Sequence, residues 1–448
     1  MKKILILGLG KEGVSAANYF GATNQIAVFD DKPRKAIDPS NFKSLKVRDI
    51  SFYFGSQYPK DLNFDFAVRS PGVRYDHKLI QMLEKSNVPL TSSTKIFFEK
   101  CPAKIIGVTG TKGKGTTATL IYEILKTAAE NVYLAGNIGR PVLDILPKLN
   151  STSVAILELS SFQLTDLEKS PHIAVVLMIT SEHLDWHKDT PEYTEAKSAI
   201  VKYQTKDDFA VINQDFETSR TFGKLTKAKV FFVSTEKTTN GVFVKDSKVV
   251  SNILGQEEII ATSEILLPGR HNLQNVIAAT ASCKILGMST AAIRKVIKSF
   301  KGLKHRLQLV RELDGAKFYN DSFSTIPETA IAAIEAFKNP KILILGGSSK
   351  NSDFTSLAKK VVDDKTIKAL IVIGQERERI LSAISKAGPF MGRIIKGAKN
   401  MQQILSQAYE IAKDGDNIIL SPACASFDMF KNYQDRGEQF IKEVRKLK

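Results

Sequence analysis

The sequence has little cysteine, no long apolar stretch and no dense basic cluster. Its three cysteines, Cys101, Cys283 and Cys424, lie far apart without CxxC spacing. This argues against a disulfide framework or a cysteine-based zinc site and predicts a reducing, cytoplasmic location. No uninterrupted apolar run reaches about 18 residues, so no membrane insertion is predicted. The apolar start of the chain is short and leads into a glycine turn, which predicts a first strand rather than a signal peptide.

The positive charge is large but dispersed. The net charge is +17, yet no run of five or more basic residues appears. Scattered lysines are typical of a solvated surface, with part of the charge available to anionic small substrates. Nucleic-acid binding is therefore not predicted, because the net charge is the only feature in its favour.

Three sections of the chain each open with an apolar, β-type run that ends in glycine, at residues 4–8, 105–110 and 342–347. A chain of 448 residues is too long for one core, and the usual domain size predicts about three domains. Strands that alternate with helix-length segments predict parallel sheets with ligands at the carboxyl ends of the strands. The predicted fold class is α/β with three nucleotide-type domains, at residues 1–97, 98–302 and 303–448. Residues 221–265 are predicted to form an antiparallel flank of the central domain.

The most specific motif is the glycine-rich segment GVTGTKGKGTT at residues 107–117. Its glycines let the backbone turn tightly and direct N–H groups at an anion, and Lys114 adds a charge for terminal phosphates. Its Gly-Lys pair at residues 113–114 resembles that of a P-loop but is followed by Gly115, so a hydroxyl for Mg²⁺ must come from Thr116 or Thr117. The segment predicts nucleoside triphosphate binding; the alternative is a plain turn after a buried strand.

A second glycine motif, GLGKEG at residues 8–13, precedes a helix-length segment, a strand and the pair Asp30 and Asp31. This is a dinucleotide fingerprint, but any diphosphate-linked nucleoside can use the same helix N-terminus, so NAD(P) is the less favoured ligand. The turn at residues 69–73 either forms the far side of the same crevice or is a plain strand-ending turn.

Chemically active side chains follow two strands of the central section. Glu158 ends a buried strand at residues 154–158, where it is either a metal ligand or a strand-end acid. A strand predicted at residues 173–180 delivers His183 and Asp185 to the same edge. Lys197 lies on the helix that follows, and the residues alone favour an exposed helix lysine.

These motifs together resemble the Mur ligases, the ATP-dependent amide-forming enzymes of peptidoglycan precursor synthesis, and within them the glutamate-adding branch. The resemblance covers the whole chain. Besides the phosphate loop, it rests on the segments GNIG (136–139), LELSSFQ (157–163), HLD (183–185), GRHNLQN (269–275), HR (305–306), NDS (320–322), LGG (345–347) and LSPACAS (420–426). The continuation of the last segment through Tyr433 to Arg436 and Gly437 is typical of the glutamate-adding branch.

The resemblance implies an N-terminal Rossmann-like UDP-binding domain, a central P-loop ATPase-type domain with an antiparallel flank, and a C-terminal Rossmann-like domain. It implies that ATP, two Mg²⁺ ions, glutamate and UDP-N-acetylmuramoyl-L-alanine bind to a monomer. In the implied reaction, the muramoyl-alanine carboxylate attacks the γ-phosphate of ATP, and the glutamate amine then displaces phosphate from the acyl phosphate.

The resemblance also assigns site residues. The implied catalytic residues are Lys114, Glu158, His183, Lys197 and Arg306. The implied ATP-binding residues are Gly110, Thr111, Lys112, Gly113, Lys114, Gly115, Thr116, Thr117, Asn272, Asn275, Arg306 and Asp321. The implied UDP-sugar-binding residues are Gly10, Lys11, Glu12, Asp31, Lys32, Ser70, Gly72, Asn137, Ser160, Gln163 and His183. The implied glutamate-binding residues are Thr325, Lys350, Ser426 and Tyr433. The implied metal ligands are Thr116, Glu158, His183 and a carbamylated Lys197.

Several residues depart from the family pattern. Lys112 replaces a common asparagine, Gly115 a Ser or Thr, Phe323 a lysine and Tyr433 a phenylalanine. Because Phe323 and Tyr433 fall near the acceptor region, D-glutamate is favoured while an L-glutamate-adding variant stays open. Two further alternatives are a folylpolyglutamate synthase-like ligase, suggested by residues 113–116, and a non-catalytic nucleotide-binding module.

Overall fold

The computed structural model describes residues 1–180, 182, 186–349 and 351–448. These residues form two compact units, Met1–Thr262 with Gln274–Ile297 and Ser263–Leu273 with Lys298–Lys448. The first unit contains two sheets and the second contains one. The chain thus has the three-domain α/β fold that the sequence predicts. None of the helices in the described ranges is long and apolar enough to cross a membrane.

The strands are β1 (Lys3–Leu7), β2 (Gln25–Asp30), β3 (Ile50–Phe54), β4 (Phe66–Arg69), β5 (Leu90–Ser92), β6 (Lys104–Thr109), β7 (Val132–Gly136), β8 (Val154–Glu158), β9 (Ile173–Val176), β10 (Phe209–Asn213), β11 (Lys229–Ser234), β12 (Val242–Lys245), β13 (Lys248–Ser251), β14 (Glu257–Ala261), β15 (Gln308–Leu313), β16 (Ala316–Asn320), β17 (Lys341–Gly346), β18 (Ile367–Ile373), β19 (Arg393–Ile395) and β20 (Asn417–Leu420). The α-helices are α1 (Lys11–Phe20), α2 (Pro39–Lys43), α3 (Lys78–Lys85), α4 (Ser93–Lys100), α5 (Lys114–Lys126), α6 (Val142–Ile145), α7 (Ser161–Leu164), α8 (Thr190–Lys202), α9 (Glu217–Thr221), α10 (Arg270–Ile285), α11 (Thr290–Ser299), α12 (Pro327–Glu335), α13 (Thr355–Asp363), α14 (Arg377–Ala387), α15 (Met401–Glu410) and α16 (Tyr433–Lys446).

The first sheet is fully parallel, in the order β3-β2-β1-β4-β5. Its central strand β1 is buried from Ile4 to Leu7. Parallel strands that are covered on both faces carry nearly continuous apolar runs, which is why the run at residues 4–8 could be recognised. The loops after β1 and β4 meet at the carboxyl edge of this sheet, because these two strands are neighbours.

The second sheet has nine strands in the order β14-β13-β12-β11-β10-β9-β6-β8-β7. The predicted antiparallel flank at residues 221–265 is wrong in part. Strand β11 runs parallel to β10, because the intervening α9 forms a crossover connection, and β12 is parallel to β11. Only β12, β13 and β14 pair antiparallel. The β12–β13 hairpin turns at Asp246 and Ser247, with φ of +49° and +57°, as a two-residue hairpin requires.

Strand β9 is shorter than the prediction of residues 173–180. It ends at Val176, and the residues from Met178 onward bond outside the ladder. The amide of Ile179 donates to the Ser219 hydroxyl at 3.1 Å, and the amide of Thr111 donates to the carbonyl of Met178 at 2.6 Å. The chain after β9 is thereby fastened to the loop that follows β6.

The sheet of the second unit has the order β15-β16-β20-β17-β18-β19. Only β15 and β16 pair antiparallel, and the other neighbours are parallel. The carboxyl ends of β16, β20 and β17 therefore lie side by side. The loops that follow these strands carry the sequence segments NDS, LSPACAS and LGG.

Candidate functional site

The glycine-rich segment forms a phosphate-type loop between β6 and α5. Gly110 and Gly113 have φ of +155° and +86°, and α5 begins immediately after Gly113. A Cβ on Gly113 would lie 2.2 Å from Oδ1 of Asn275, so this position requires glycine. The Lys114 ammonium donates to the carbonyls of Gly110 and Thr111, at 2.9 and 3.0 Å. A lysine beside the free N–H groups of a helix N-terminus is the arrangement that binds phosphate.

The structure separates the two adjacent threonines of this loop. The Thr117 side chain is fully buried, and its hydroxyl donates to Oδ1 of Asn275 at 3.3 Å. The neighbouring Thr116 is 9% exposed. The Thr111 hydroxyl shares a hydrogen bond with the Tyr193 hydroxyl at 3.1 Å, and Lys112 forms an ion pair with Glu182. Thr117 therefore supports the interior of the loop, while Thr116 is the less buried of the two.

Glu158 lies at the carboxyl end of β8, where its side chain is buried. Its Oε1 accepts a hydrogen bond from Nδ2 of Asn137 at 3.1 Å, and the Asn137 amide donates to the Glu158 carbonyl at 3.0 Å. Strand β8 pairs with β6 from residue 104 to residue 108. Glu158 thus ends the strand beside the one that leads into the phosphate loop, next to a residue that the resemblance assigns to the UDP-sugar.

Lys197 is 1% exposed, so the interpretation as an exposed helix lysine is wrong. Its ammonium donates to the carbonyl of Gly110 at 3.1 Å and to Oγ1 of Thr109 at 3.3 Å. It lies 4.7 Å from the centroid of the Tyr193 ring. Burial lowers the pKa of Lys197 well below its ordinary value, and the charge of Lys114 lowers it further. Lys197 is therefore a buried amine beneath the phosphate loop.

The charges of Glu182 and Glu158 act in the opposite direction and raise the pKa of Lys197. Hard oxygen donors of the kind that Mg²⁺ prefers are present at this edge, in the Glu158 carboxylate and the Thr116 hydroxyl. Within the described ranges, no group of three or more His, Cys, Asp and Glu side chains gathers as a metal site. His183 and Asp185 lie outside the described residues. The side chains that are described fit Mg²⁺ in the type of their donor atoms.

The first glycine motif is held by the strand-end acid Asp30. Gly8 has a φ of +90°, and Oδ2 of Asp30 accepts from the amide of Leu9 at 2.7 Å. Oδ1 of the same carboxylate accepts from the amide of Lys32 at 2.9 Å. The predicted Asp31 instead pairs with Nε2 of His77 at 2.9 Å and is exposed. Asp30 thus shapes the loop, and Asp31 and Lys32 lie on its exposed side.

The turn after β4 packs against this loop. The Ser70 hydroxyl donates to the Gly8 carbonyl at 3.2 Å, and a Cβ on Gly8 would lie 3.1 Å from Cβ of Ser70. Gly10, Lys11 and Gly72 are exposed. The turn at residues 69–73 therefore forms a second wall beside the glycine loop.

Glu12 and Gln163 join the first glycine motif to the segment that follows Glu158. Nε2 of Gln163 donates to Oε1 of Glu12 at 2.7 Å. Oε1 of Gln163 accepts from the amide and hydroxyl of Ser160, at 3.0 and 3.1 Å, as part of a capping box on α7. Burial raises the pKa of Glu12 to about 7, although its bond to Gln163 opposes the shift. The three residues thus form one hydrogen-bonded chain between the two sheets.

Arg69 donates hydrogen bonds to several backbone carbonyls, a role that the sequence did not predict. Its side chain is fully buried. Nη1 donates to the carbonyls of Pro71 and Val73 at 3.2 and 2.9 Å, and Nη2 donates to the carbonyl of Phe162 at 3.1 Å. It also pairs with Asp166 at 3.5 Å. The only signal in the sequence is a basic residue at the end of an apolar strand, which does not indicate burial.

In the second unit, the predicted nucleotide-contacting residues Arg306 and Asp321 lie close together. Asp321 is buried, its Oδ1 accepts from the amide of Leu307 at 3.1 Å, and its Oδ2 accepts from the Ser421 hydroxyl at 2.7 Å. Burial raises the pKa of Asp321 to about 7, while the nearby charge of Arg306 lowers it. The Arg306 guanidinium lies 4.0 Å from the centroid of the Phe323 ring. Asp321 thus orders the turn that presents Arg306.

The predicted glutamate-binding residues also belong to the second unit. Ser426 is 2% exposed, and Thr325 is partly buried. The Tyr433 ring lies edge-on to Phe323 at 5.1 Å. Lys350 lies outside the described residues. The structure therefore brings Phe323 against Tyr433, the two departures from the family pattern in the predicted acceptor region.

The two predicted ATP-binding asparagines lie on α10, and each has its own partner. Nδ2 of Asn272, in the second unit, donates to the carbonyl of Pro268 at 2.7 Å. Asn275, in the first unit, accepts from Thr117 as described above.

Three family models match the chain. They are described as the Mur ligase MurD-like N-terminal domain at residues 2–92, the Mur ligase middle domain at 108–283, and the Mur ligase, glutamate ligase domain at 305–424. A UDP-N-acetylmuramoylalanine--D-glutamate ligase from Acetivibrio thermocellus is 38% identical over 450 residues, covering 99% of this chain and 96% of the relative. The protein of that name from Bacillus subtilis is 37% identical over 453 residues, covering 99% and 97%.

Solved structures show the same fold at lower identity. The UDP-N-acetylmuramate-alanine ligase MurC from Thermotoga maritima superposes with a TM-score of 0.60 at 16% identity and covers 99% of both chains. A pseudomurein peptide ligase type C from Methanothermus fervidus superposes with a TM-score of 0.58 at 18% identity and covers 100% of both.

Proposed function

The chain belongs to the Mur ligase family of ATP-dependent, ADP-forming ligases, and we propose that it adds D-glutamate to UDP-N-acetylmuramoyl-L-alanine in peptidoglycan synthesis. The observation that carries the proposal is the position of Lys197, a buried amine against the phosphate loop. A plain nucleotide-binding module has no evident need for a lysine in that place. The names of the full-length relatives support D-glutamate as the amino acid.

The reaction proceeds through acyl activation. The terminal carboxylate of the muramoyl-alanine attacks the γ-phosphorus of ATP, and ADP leaves. The glutamate amine then attacks the acyl carbon and loses a proton, and phosphate leaves with its bonding electrons. Lys114 and the N-terminus of α5 stabilise the negative charge on the transferring phosphoryl group, which is the main task in such a reaction.

Mur ligases use ATP and Mg²⁺, and the proposed ligands of two Mg²⁺ ions are Thr116, Glu158, His183 and Lys197. The ions, when bound, neutralise the phosphate oxygens and orient them. The lowered pKa of Lys197 favours its neutral amine. A neutral amine reacts with carbon dioxide to give a carbamate and a proton, and the carbamate would supply the oxygen ligand that lysine lacks. Carbamylation of Lys197 is therefore part of the proposal.

The substrate sites follow from the same assignment. We place the uridine diphosphate at the first glycine motif, beside Ser70 and Gly72, with Asn137, Ser160 and Gln163 toward the reacting end. Glutamate is placed at Thr325, Lys350, Ser426 and Tyr433. The proposed domain boundaries are residues 1–97, 98–302 and 303–448. We propose that the protein is a cytoplasmic monomer.

The decisive assay is phosphate release from ATP with the UDP-sugar and either D- or L-glutamate. We expect release only when the UDP-sugar and D-glutamate are both present, and a Lys114→Ala variant should show none. Release with L-glutamate alone would indicate the L-glutamate-adding variant, for which the Phe323–Tyr433 pair is the motivating observation. No release with either enantiomer would contradict the proposal, and turnover of a folate instead would indicate the folylpolyglutamate synthase-like alternative.

A further inference from the structure

Arg436 on α16 is fully buried, and its guanidinium bonds to two separate loops. Nε and Nη2 donate to the hydroxyl and carbonyl of Ser322, at 3.0 and 2.9 Å, in the loop after β16. Nη2 and Nη1 also donate to the carbonyls of Cys424 and Ala425, at 3.1 and 3.2 Å, in the loop after β20. The planar fork of a guanidinium is suited to several such acceptors at fixed angles. One side chain thereby ties the two loops together.

The loop after β20 needs such a support. Ala423 is fully buried and has a φ of +58°, a left-handed conformation that costs energy for any residue with a Cβ. Residues of this kind persist where their surroundings hold them in place. The next two carbonyls, of Cys424 and Ala425, accept from Arg436. On the other side, Gly347 approaches so closely that a Cβ there would lie 2.1 Å from the Ala425 carbonyl oxygen.

The residues held by Arg436 adjoin those proposed to bind glutamate. Ser426 directly follows Ala425 and is 2% exposed. The hydroxyl of Ser322 donates to the carbonyl of Tyr433 at 2.8 Å, so Arg436 also acts on the first residue of α16. Phe323 follows Ser322 and packs on the Tyr433 ring. The guanidinium thus fixes the relative positions of the loop after β16, the loop after β20 and the start of α16.

We propose that Arg436 is the positioning residue of the acceptor amino-acid site: it holds the loops of Ser322 and Ala425 so that Ser426 and Tyr433 face the incoming dicarboxylate. This inference rests on the proposed function, since it concerns the glutamate site of that reaction. Arg436 does not contact the reacting atoms in this role. Its loss should weaken glutamate recognition while the first half-reaction, from ATP and the UDP-sugar to the acyl phosphate, continues.

The test variant is Arg436→Lys, which keeps a positive charge but loses the planar fork. We expect its KM for glutamate to rise about ten-fold or more, with KM for ATP and the UDP-sugar nearly unchanged. Acyl phosphate trapped as the hydroxamate by hydroxylamine, without glutamate, should form at the wild-type rate. If Arg436 had a merely structural role, its loss would impair acyl phosphate formation and glutamate binding together. If Arg436→Lys does not fold, Ser322→Ala decides the question by the same measurements.

The matched control is Arg311→Lys. Nη1 of Arg311 also donates to backbone carbonyls of the α16 region, those of Val444, Arg445 and Leu447 at 3.3, 3.4 and 2.8 Å, but at its C-terminal end. This variant should leave KM for glutamate unchanged. A folded Arg436→Lys enzyme with lower Tm and unchanged KM for glutamate would overturn the inference. Wild-type enzyme that ligates no glutamate would contradict the proposed function instead.

Discussion

The ammonium of Lys197 lies 3.1 Å from the carbonyl oxygen of Gly110, the residue that opens the phosphate loop. A second lysine, Lys114, donates to the same carbonyl at 2.9 Å. Two cations on one acceptor repel each other, and this repulsion contributes to the lowered pKa of Lys197. Burial and the charge of Lys114 thus both act against the charged form of Lys197.

Replacing Lys197 by alanine should abolish catalysis without unfolding the protein. If its carbamate binds Mg²⁺, Lys197→Ala will lower phosphate release about 100-fold or more. The exposed Lys202→Ala, on the same helix, is the control and should retain activity. In wild-type protein with ¹³C-labelled bicarbonate, carbon NMR should show a carbamate signal that Lys197→Ala lacks. Unchanged turnover of Lys197→Ala would remove the carbamate role.

Thr116→Ala should impair turnover, whereas Thr117→Ala should mainly lower stability. Thr116→Ala is expected to reduce kcat about 100-fold and to raise the Mg²⁺ concentration needed, because it removes the proposed metal hydroxyl. Thr117→Ala should instead lower stability by about 1 kcal/mol, since it breaks the buried bond to Asn275. Mg²⁺ titrations of turnover and thermal melts of both variants test this division. The reverse pattern would identify Thr117 as the metal ligand.

The carboxyl group of Glu12 should make stability depend on pH. Its pKa is raised from 4.5 to about 7 by burial, so the folded protein retains a proton that the unfolded chain loses. The contribution of this group to stability is complete below pH 4.5 and is lost as pH rises through about 7. Glu12→Gln keeps an acceptor for Gln163 but cannot ionise.

The Tm of Glu12→Gln minus that of wild type should therefore increase across this pH interval and level off above it. The exposed Glu99→Gln serves as the control and should show no such increase. A difference in Tm that does not change with pH would mean that Glu12 is ionised in the folded protein over the whole range.

Arg69→Lys should destabilise the first unit more than Arg74→Lys does. The buried Arg69 satisfies carbonyls of the turn and of Phe162, and a lysine cannot reach them all. We expect a loss of about 3 kcal/mol in the free energy of unfolding. Arg74 has a 40% exposed side chain, so its variant should lose about 1 kcal/mol or less. Urea unfolding curves measure both, and equal losses would contradict the role given to Arg69.

Much of the fold could be predicted from the sequence because buried parallel strands carry nearly continuous apolar runs. Strands β1, β6, β8 and β17 are apolar runs, three of which lead into glycines, and the structure confirms them. The direction of β11 could not be predicted, since β-type residues look alike in parallel and antiparallel pairs. Its partner is decided by the crossover through α9, which only the assembled sheet reveals.

The burial of single polar residues was harder to predict from the sequence than the strands were. Every residue of helix α8 from 196 to 201 is buried, so this part of the helix has no alternation of apolar and polar faces. The sequence pattern therefore does not distinguish the buried Lys197 from the exposed Lys202. Arg69 and Arg436 carry no local signal either, because their acceptors are carbonyls from distant segments. The position of Glu158 could be predicted, because it ends a strand whose other residues are all apolar.

The bonds from Glu12 to Gln163 and from Arg69 to Phe162 have a practical consequence for anyone who divides this chain into fragments. A fragment that ends at the first proposed boundary would expose a guanidinium whose acceptors remain on the other piece. We therefore expect the N-terminal segment to be less stable on its own than within the intact chain. Fragments made for calorimetry or crystallisation should keep the first two sheets on one polypeptide.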